Sequence, residues 1–276
     1  MTGSANPGHS AVGTSRAAAW DPARYLRFAG ERARPFLDLV ARVDAEAPRT
    51  VVDLGCGEGA LTASLAQRWP EASVVGVDSS DTMLAAAAAH AVPCRVAFAA
   101  GDVRDWEPSG SVDVLVSNAV LHWVPGHDRL MARWAGWLAP GGRLAVQVPG
   151  NFRAPTHAVL TELCRSPRWS SQLAAAAPDP DAVLSPAGYY DVLTGAGLTA
   201  DVWETTYLHV LTGDDPVLAW VRTTVLRPVL ALLGEDDAAE LTDAYAAALR
   251  EAYPQRPDGT TLLPFRRVFA VGSRPS

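Results

Sequence analysis

The sequence predicts an α/β chain: a seven-stranded, mostly parallel sheet whose last strand runs antiparallel, with helical segments inserted as a cap. Three observations predict it. Between residues 50 and 150, short β-branched runs alternate five times with helical patterns, which is most simply a parallel sheet covered on both faces. Acids stand at the ends of three successive strand patterns, at Asp53, Asp78 and Asp102, and open α/β sheets bind ligands along that carboxyl edge. Past residue 150 the alternation stops, and two long strand patterns lie on either side of a helical insertion.

Taken in order, residues 1–18 are rich in Gly, Ser and Ala without periodicity and read as a disordered leader, leaving 19–276 as the folded domain. Asp21-Pro22 opens a helical pattern that runs through residue 43, with Tyr25, Phe28, Phe36, Leu39 and Val40 on one face. Its charged stretch, Arg24 to Arg34, is either a solvated face or a lid through which Tyr25 and Arg32 look into a ligand pocket. Thr50 to Leu54 is the first strand. It runs into Gly55-Cys56-Gly57-Glu58-Gly59 and then a helix over about 60–69, a strand, tight turn and helix in which glycine lets the backbone approach a ligand closely.

Strand two, Ser73 to Asp78, ends in an acid placed to accept from the vicinal hydroxyls of a ribose. Ser79-Ser80-Asp81 caps the following helix, where Met83 packs on the sheet or touches a bound base. Strand three, Arg95 to Ala99, leads to Asp102-Val103, either an acceptor for an exocyclic amine or a plain Asx turn. Strand four, Ser111 to Ser117, ends in Asn118-Ala119-Val120-Leu121-His122-Trp123, the expected floor under a reacting group. His122 is a candidate base, although a histidine beside a tryptophan is more often packed or hydrogen-bonded. A helix over 126–138 stops at Pro140-Gly141-Gly142, and Leu144 to Val148 is strand five.

Cap segments are expected over about 151–198 and 212–258. The first holds helices at 155–177 and from Ser185-Pro186 through Leu193; the second holds helices at 216–233 and 235–253. Strands at 201–211 and 262–272 flank the second segment. Arg222, Arg227, Arg266 and Arg267, with Tyr189, Tyr190, Tyr207 and His209, supply guanidiniums and phenols that can pair a multiply charged carboxylate.

Bulk properties narrow the function. The net charge of −7 and the sequence pI near 5.3 argue against a nucleic-acid surface, which needs a basic face. All 23 basic residues are Arg, so a single arginine is weak evidence of function. Cys56, Cys94 and Cys164 are odd in number and dispersed, which fits a reducing compartment, and no metal site is spelled. Neither a signal core nor a membrane-spanning apolar run is present. A soluble, cytoplasmic protein is expected, a monomer or homodimer that acts on a small molecule away from any membrane.

Asp53 to Gly59, Asp78, Asp102-Val103, Asn118 to Trp123 and Pro140-Gly141-Gly142 together resemble the class I S-adenosylmethionine-dependent methyltransferases over about residues 48–150. That resemblance implies a Rossmann-like sheet and S-adenosylmethionine as cofactor. The glycine loop would cradle the methionine part, Asp78 would hold the ribose, and Asp102 with Val103 would hold the adenine. The full cofactor set is Asp53, Gly55, Cys56, Gly57, Gly59, Asp78, Ser79, Met83, Asp102, Val103, Asn118, Ala119 and Trp123.

A closer likeness, over about 20–274, is to the trans-aconitate 2-methyltransferases. It is carried by Glu31-Arg32-x-Arg34-Pro35, Val146-Gln147-x-Pro149-x-Asn151, Pro155-Thr156-His157, Trp203-x-Thr205-Thr206-Tyr207-x-His209, Leu226-Arg227-Pro228 and Arg267-x-Phe269. It implies monomethyl esterification of a small unsaturated tricarboxylic acid held by Tyr25, Arg32, His122, Asn151, Tyr207, Arg227 and Arg267, with no catalytic residue required. The charged Glu58 in the glycine loop departs from the pattern. The alternatives are another carboxylic acid or a secondary-metabolite hydroxyl as acceptor, a nicotinamide oxidoreductase reading of Gly55, Gly57 and Ala60, and a non-catalytic sensor of the cofactor.

Overall fold

Val-rich runs flanked by amphipathic helices bury both faces of a parallel sheet, and the strands assemble accordingly. The computed structural model describes residues 30, 33–222 and 224–276. The leader, the helix start at Pro22, and Tyr25 and Arg32 lie outside the described residues. Helix α1 (Arg34–Ala41) opens with Pro35 in its first turn, and Gly30 is not helical, so the helical pattern does not run unbroken to residue 43.

The order that follows is β1 (Thr50–Leu54), α2 (Ala60–Arg68), β2 (Ser73–Asp78), α3 (Asp81–Ala87), β3 (Val96–Ala100), β4 (Val112–Asn118), α4 (His127–Trp137) and β5 (Leu138–Pro149). Then come α5 (Pro155–Arg165), α6 (Ser170–Leu173), α7 (Pro186–Gly195), β6 (Thr199–Leu211), α8 (Pro216–Arg222), α9 (Arg227–Leu230), α10 (Glu235–Ala252) and β7 (Thr261–Ser273). The seven strands lie in the order β3-β2-β1-β4-β5-β7-β6. Strands β1 to β5 pair in parallel, and β7 is antiparallel to both of its neighbours.

Each sheet face buries its own cluster. On one side Phe36, Leu39 and Val40 of α1 and Leu65 of α2 meet Val51, Val114, Val116 and Phe269. On the other, Met131 and Trp134 of α4 and Tyr189 and Leu193 of α7 meet Leu54, Leu115 and Val146. Helix α7 therefore lies on the sheet rather than in the cap, pinned by a 2.9 Å contact between His127 Nε2 and the Tyr189 hydroxyl. A third cluster unites the two insertions: Leu160, Cys164 and Leu173 pack with Val221, Leu226, Leu241 and Tyr245, and Leu263 of β7 joins them.

Three elements differ from the sequence expectation. Strand β5 begins at Leu138, so Pro140-Gly141-Gly142 sits inside it as a bulge, with Leu138 opposite Val112 and Arg143 opposite Val114. The helix expected over 155–177 ends at Arg165, because Pro167 pushes Ser166 into the extended region at φ −65° and ψ 157°. The helix expected over 216–233 breaks after Arg222 and restarts at Arg227-Pro228.

Strands β6 and β7 pair from Thr199↔Ser273 to Leu211↔Thr261, whereas β5 pairs with β7 only as far as Pro149↔Arg267. The outer part of this ribbon therefore overhangs the carboxyl edge of the sheet and carries Leu263 and Phe265 up into the insertions.

The entry of β1 is clamped to β4 by Asp113, whose Oδ2 accepts from the backbone N–H groups of Arg49 and Thr50 at 2.8 and 2.9 Å. Asp113→Ala is expected to cost about 1–3 kcal/mol in urea unfolding with an unchanged m value; a loss below about 0.5 kcal/mol would show that water replaces the clamp.

Candidate active site

The chain leaves β1 and turns at once. Gly55 and Cys56 both donate to Val77 O, at 2.8 and 3.0 Å, and Gly57 N donates to Asp78 Oδ2 at 2.9 Å. Gly55 sits at φ +85°, where a Cβ would meet Val120 Cγ2 at 2.1 Å, so no larger residue fits. Gly57, at φ +55°, has open space where a side chain would stand, and Gly59 is the residue before α2. The loop is a cradle of backbone tied to the end of β2.

Asp53, 3% exposed, lies beneath it and accepts from Thr62 Oγ1 at 2.6 Å. Burial pushes its carboxyl up to about 6, with the Thr62 bond opposing and the charge of Asp78 adding. Burial and the same two acids push the Cys56 thiol up to about 12. Asp53, Cys56 and Asp78 thus share one field.

Asp78 also accepts from Ser80 N at 2.9 Å through Oδ1, and each carboxylate oxygen keeps a lone pair for a ligand hydroxyl. Ser80 caps α3 through Met83 N, while Ser79 is exposed. Gly101 N donates to Asp78 O at 3.0 Å, which places Asp102 on the same rim. There the arrangement departs from a bare acceptor. Arg104 folds back and grips the Asp102 carboxylate through its backbone N–H and Nε, both at 2.9 Å, and through Nη2 at 2.5 Å, holding the carboxyl down at about 2. Val103 is buried in the core beneath.

At the end of β4, Ala119 takes φ +57°, a conformation that costs energy for a residue with a Cβ, and donates to Gln147 O at 2.9 Å. Asn118 Oδ1 is buried without a partner. The His122 ring lies 4.7 Å from that of Trp123, tilted at 43°, and its Nδ1 is also buried without a partner. Burial first, then the charge of Arg267, pushes this imidazole down to about 3, so it is neutral at pH 7. Trp123 and Met83 are 62% and 45% exposed, leaving apolar surface open beside the glycine turn.

A cavity of about 520 Å³ opens from this rim into the space under the insertions. Ala119, His122, Pro149, Asn151 and Arg267 form its floor; Ala177, Pro178, Trp220, Val225 and Pro228 form its roof. Arg267 is 8% exposed, with its guanidinium 4.4 Å from the Phe265 ring centroid. Asn151 Nδ2 lies 3.4 Å from His157 Nδ1, and Asn151 Oδ1 is buried without a partner. Burial pushes His157 down to about 4.

Two residues expected to hold substrate stand elsewhere. Tyr207 packs on the α1 side of the sheet and donates to Asp38 Oδ2 at 2.6 Å. Arg227 is exposed; the start of α9 turns Pro228, not Arg227, to the cavity. Phe152, His157, Trp220 and Phe265 line the cavity without having been singled out; only His157, inside the Pro155-Thr156-His157 motif, carried any signal. A separate cavity of about 480 Å³ lies between Gly213 and Tyr253 and shares no residue with this one. Among the described residues, no helix is long and apolar enough to cross a membrane, and no His, Cys, Asp and Glu cluster suits a metal ion.

Comparison with known proteins fixes the family. A profile described as a methyltransferase domain matches residues 51–142. The trans-aconitate 2-methyltransferase of Streptomyces avermitilis is 55% identical over 263 residues, which cover 92% of this chain and 97% of that protein. The chain belongs to the trans-aconitate 2-methyltransferase family. The Streptomyces coelicolor enzyme of the same name is 54% identical over 93% of this chain and 87% of its own length. Among solved structures, a putative methyltransferase in complex with the Haloferax volcanii Trm112 methyltransferase activator superposes with a TM-score of 0.53 at 22% identity, covering 92% of each chain, a likeness of fold alone.

The residues present in this family member fit an adenosyl cofactor at the glycine turn. The cradle at Gly57 is open, Asp78 has acceptor capacity to spare, the Asn118 oxygen is unpartnered, and Met83 and Trp123 present apolar surface. Asp102 differs from Asp78 in that its carboxylate is gripped by a guanidinium, that of Arg104.

The raised carboxyl of Asp53 carries a stability signature. An acid with a folded pKa above its unfolded value binds more protons in the native state, so its contribution falls as pH rises through the window from about 4 to about 6. Asp53→Asn, which keeps an acceptor for Thr62, is expected to match the wild type near pH 4 and exceed it by up to about 3 kcal/mol at pH 7. Chemical denaturation at both pH values checks this, and a gap that does not grow with pH would refute it.

Proposed function

We propose that the protein transfers the methyl group of S-adenosylmethionine to one carboxylate of trans-aconitate, giving the monomethyl ester and S-adenosylhomocysteine. One observation carries the reading: a buried guanidinium, Arg267, is set in the floor of a cavity that opens beside Ala119 and Trp123 on the glycine-turn rim. The family membership points the same way.

The bound cofactor supplies an electrophilic methyl on a sulfonium; a carboxylate oxygen bonds to it as the carbon–sulfur bond breaks, and the electron pair stays on sulfur. No proton moves, so no base is needed. In this reading the turn from Gly55 to Gly59 cradles the methionine part, Asp78 accepts from the ribose hydroxyls, and Met83 and Val103 border the adenine. Asp102 accepts from the adenine amine as Arg104 yields part of its fork. On the acid side, Arg267 pairs one carboxylate, while Asn151 and the neutral His122 offer hydrogen bonds. Aligning the nucleophile with the methyl group is the main catalytic contribution and is worth several kcal/mol as an intramolecular advantage.

Incubation with methyl-labelled S-adenosylmethionine and trans-aconitate is expected to yield a labelled monomethyl ester; recovery of no ester would overturn the proposal. Arg267→Ala is expected to raise KM for the acid by roughly thirtyfold or more, as for loss of one partner of a buried charge pair, while the Kd for the cofactor stays within about twofold. Arg227→Ala, on an exposed side chain, is expected to leave both constants near the wild type.

The pH profile follows from the same groups. With His122 pushed down to about 3, Asp53 ionised above its value of about 6 and substrate carboxylates ionised above about pH 5, kcat/KM for the acid at saturating cofactor is expected to stay flat between about pH 7 and 8. An inflection near pH 6.5 that His122→Asn removes would instead show an imidazole taking the part of a base.

A further inference from the structure

Arg267, Asn151 and His157 line the cavity and are all more than nine-tenths buried. Arg267 and Asn151 already have a part in holding the acid, whereas His157 has none. The charge of His157, like that of Arg267, reaches His122, so three basic groups gather at one pole of the cavity. The one acid among the described lining residues, Asp179, follows Pro178 at the roof.

The contacts His157 makes within the protein decide which of its nitrogens is left for a ligand. Asn151 Nδ2, a donor, lies 3.4 Å from Nδ1, and the Thr156 hydroxyl lies 3.1 Å from the same atom. Nδ1 is therefore the acceptor, and the ring proton sits on Nε2. Burial pushes the imidazole down to about 4, so at pH 7 it is a neutral donor of one hydrogen bond. The segment is fixed from behind. Thr156 O accepts from the Tyr245 hydroxyl, Thr156 N donates to the Tyr253 hydroxyl at 3.4 Å, and the imidazole meets Phe152 edge-on at 5.0 Å. His157 also stands in the first turn of α5, the end of a helix that favours an anion. Thr224, a hydroxyl in the same lining, donates instead to Val221 O at 3.2 Å.

Counting charges gives the free donor a task. Of the three carboxylates of trans-aconitate, one meets the methyl group at the rim and one pairs with the Arg267 guanidinium. A third, enclosed without a donor, would carry its whole desolvation cost.

We infer that His157 determines specificity in the acid pocket: its Nε2–H holds the carboxylate that neither meets the methyl group nor pairs with Arg267, and so sets both the preference for a triacid and which carboxylate is esterified. The inference rests on the methyl-transfer reading above and leaves its bond making and breaking unchanged.

The test uses the full chain loaded with S-adenosylhomocysteine, with Kd read by calorimetry. Its ligands are trans-aconitate and three diacids that each lack a different one of its carboxylates: mesaconate, itaconate and cis-glutaconate. The side-chain nitrogen of glutamine takes the place of Nε2 and that of asparagine the place of Nδ1, so the two variants separate the ring's two contacts. His157→Asn is expected to weaken trans-aconitate by about tenfold or more, the size of a lost hydrogen bond to a charged group, while His157→Gln stays within about threefold of the wild type. The loss in His157→Asn is expected to vanish for one of the diacids and persist for the other two. With S-adenosylmethionine, NMR of the product is expected to show one monoester from the wild type and a mixture from His157→Asn. An unchanged Kd for S-adenosylhomocysteine checks the fold; if His157→Asn fails that check, His157→Phe, which keeps a ring against Phe152, replaces it.

Equal weakening of all four acids, a larger loss in His157→Gln than in His157→Asn, or no loss at all makes His157 at most a support for Asn151 and overturns the inference, while methyl transfer stands on the wild-type ester. The expected binding pattern without any ester keeps the pocket assignment and overturns methyl transfer. Binding of no acid overturns both.

Discussion

Two backbone N–H groups on one carbonyl oxygen hold the site together. Because Gly55 and Cys56 both bond to Val77 O, the turn after β1 is fastened to the end of β2 rather than to its own helix. The fastening brings Asp78 close enough to add to the cost that burial already puts on ionising Asp53, and the bond from Thr62 offsets only part of it. A sheet edge that concentrates negative potential in this way favours a cation at the turn. The like-charge strain and the preference for a sulfonium are then two faces of the same arrangement.

The second constraint is the ribbon of β6 and β7. Five parallel strands with short connections can build a rim, but they leave it open to water. Here the two last strands pair beyond the point where β5 lets go, and the overhang carries Leu263 into the cluster of the insertions and Phe265 beside Arg267. The guanidinium sits at the last rung shared with β5, Pro149↔Arg267. It is therefore held by the sheet on one side while facing the insertions on the other. A charge so placed can orient an anion without having to be ordered first.

How far the sequence alone reveals this depends on the range of the interactions involved. The glycine turn, the acids at the ends of β1 and β2, and the caps at Ser80 and Ser185 were legible because each is fixed by residues a few positions apart. The bulge at Pro140-Gly141-Gly142 was not, because proline and two glycines read as a stop, and only the register against β4 shows that the strand has already begun. Asp102 read as either an amine acceptor or an Asx turn, and the Asx bond from Arg104 N is present; the added grip of the Arg104 side chain was not legible, since it depends on how the turn lets that side chain fold back. Tyr207 and Arg227 were attractive by residue type. What decides their place is packing from outside their own segments: α1 draws the phenol to Asp38, and α9 points the guanidinium outward. The apolar roof left no periodic trace at all, because it is assembled from short pieces of two insertions that meet only in three dimensions.

The second insertion leaves the ribbon at Leu211 and returns at Thr261, and those two residues are paired with each other. Everything between them enters and exits through a single rung, so its length and content are uncoupled from the register of the strands and from the geometry of the turn at Gly55. Evolution, or an engineer, can accordingly exchange that segment as a cassette, provided the replacement keeps the apolar face that packs on Leu160, Cys164 and Leu173, while the methyl-donor half is left unaltered.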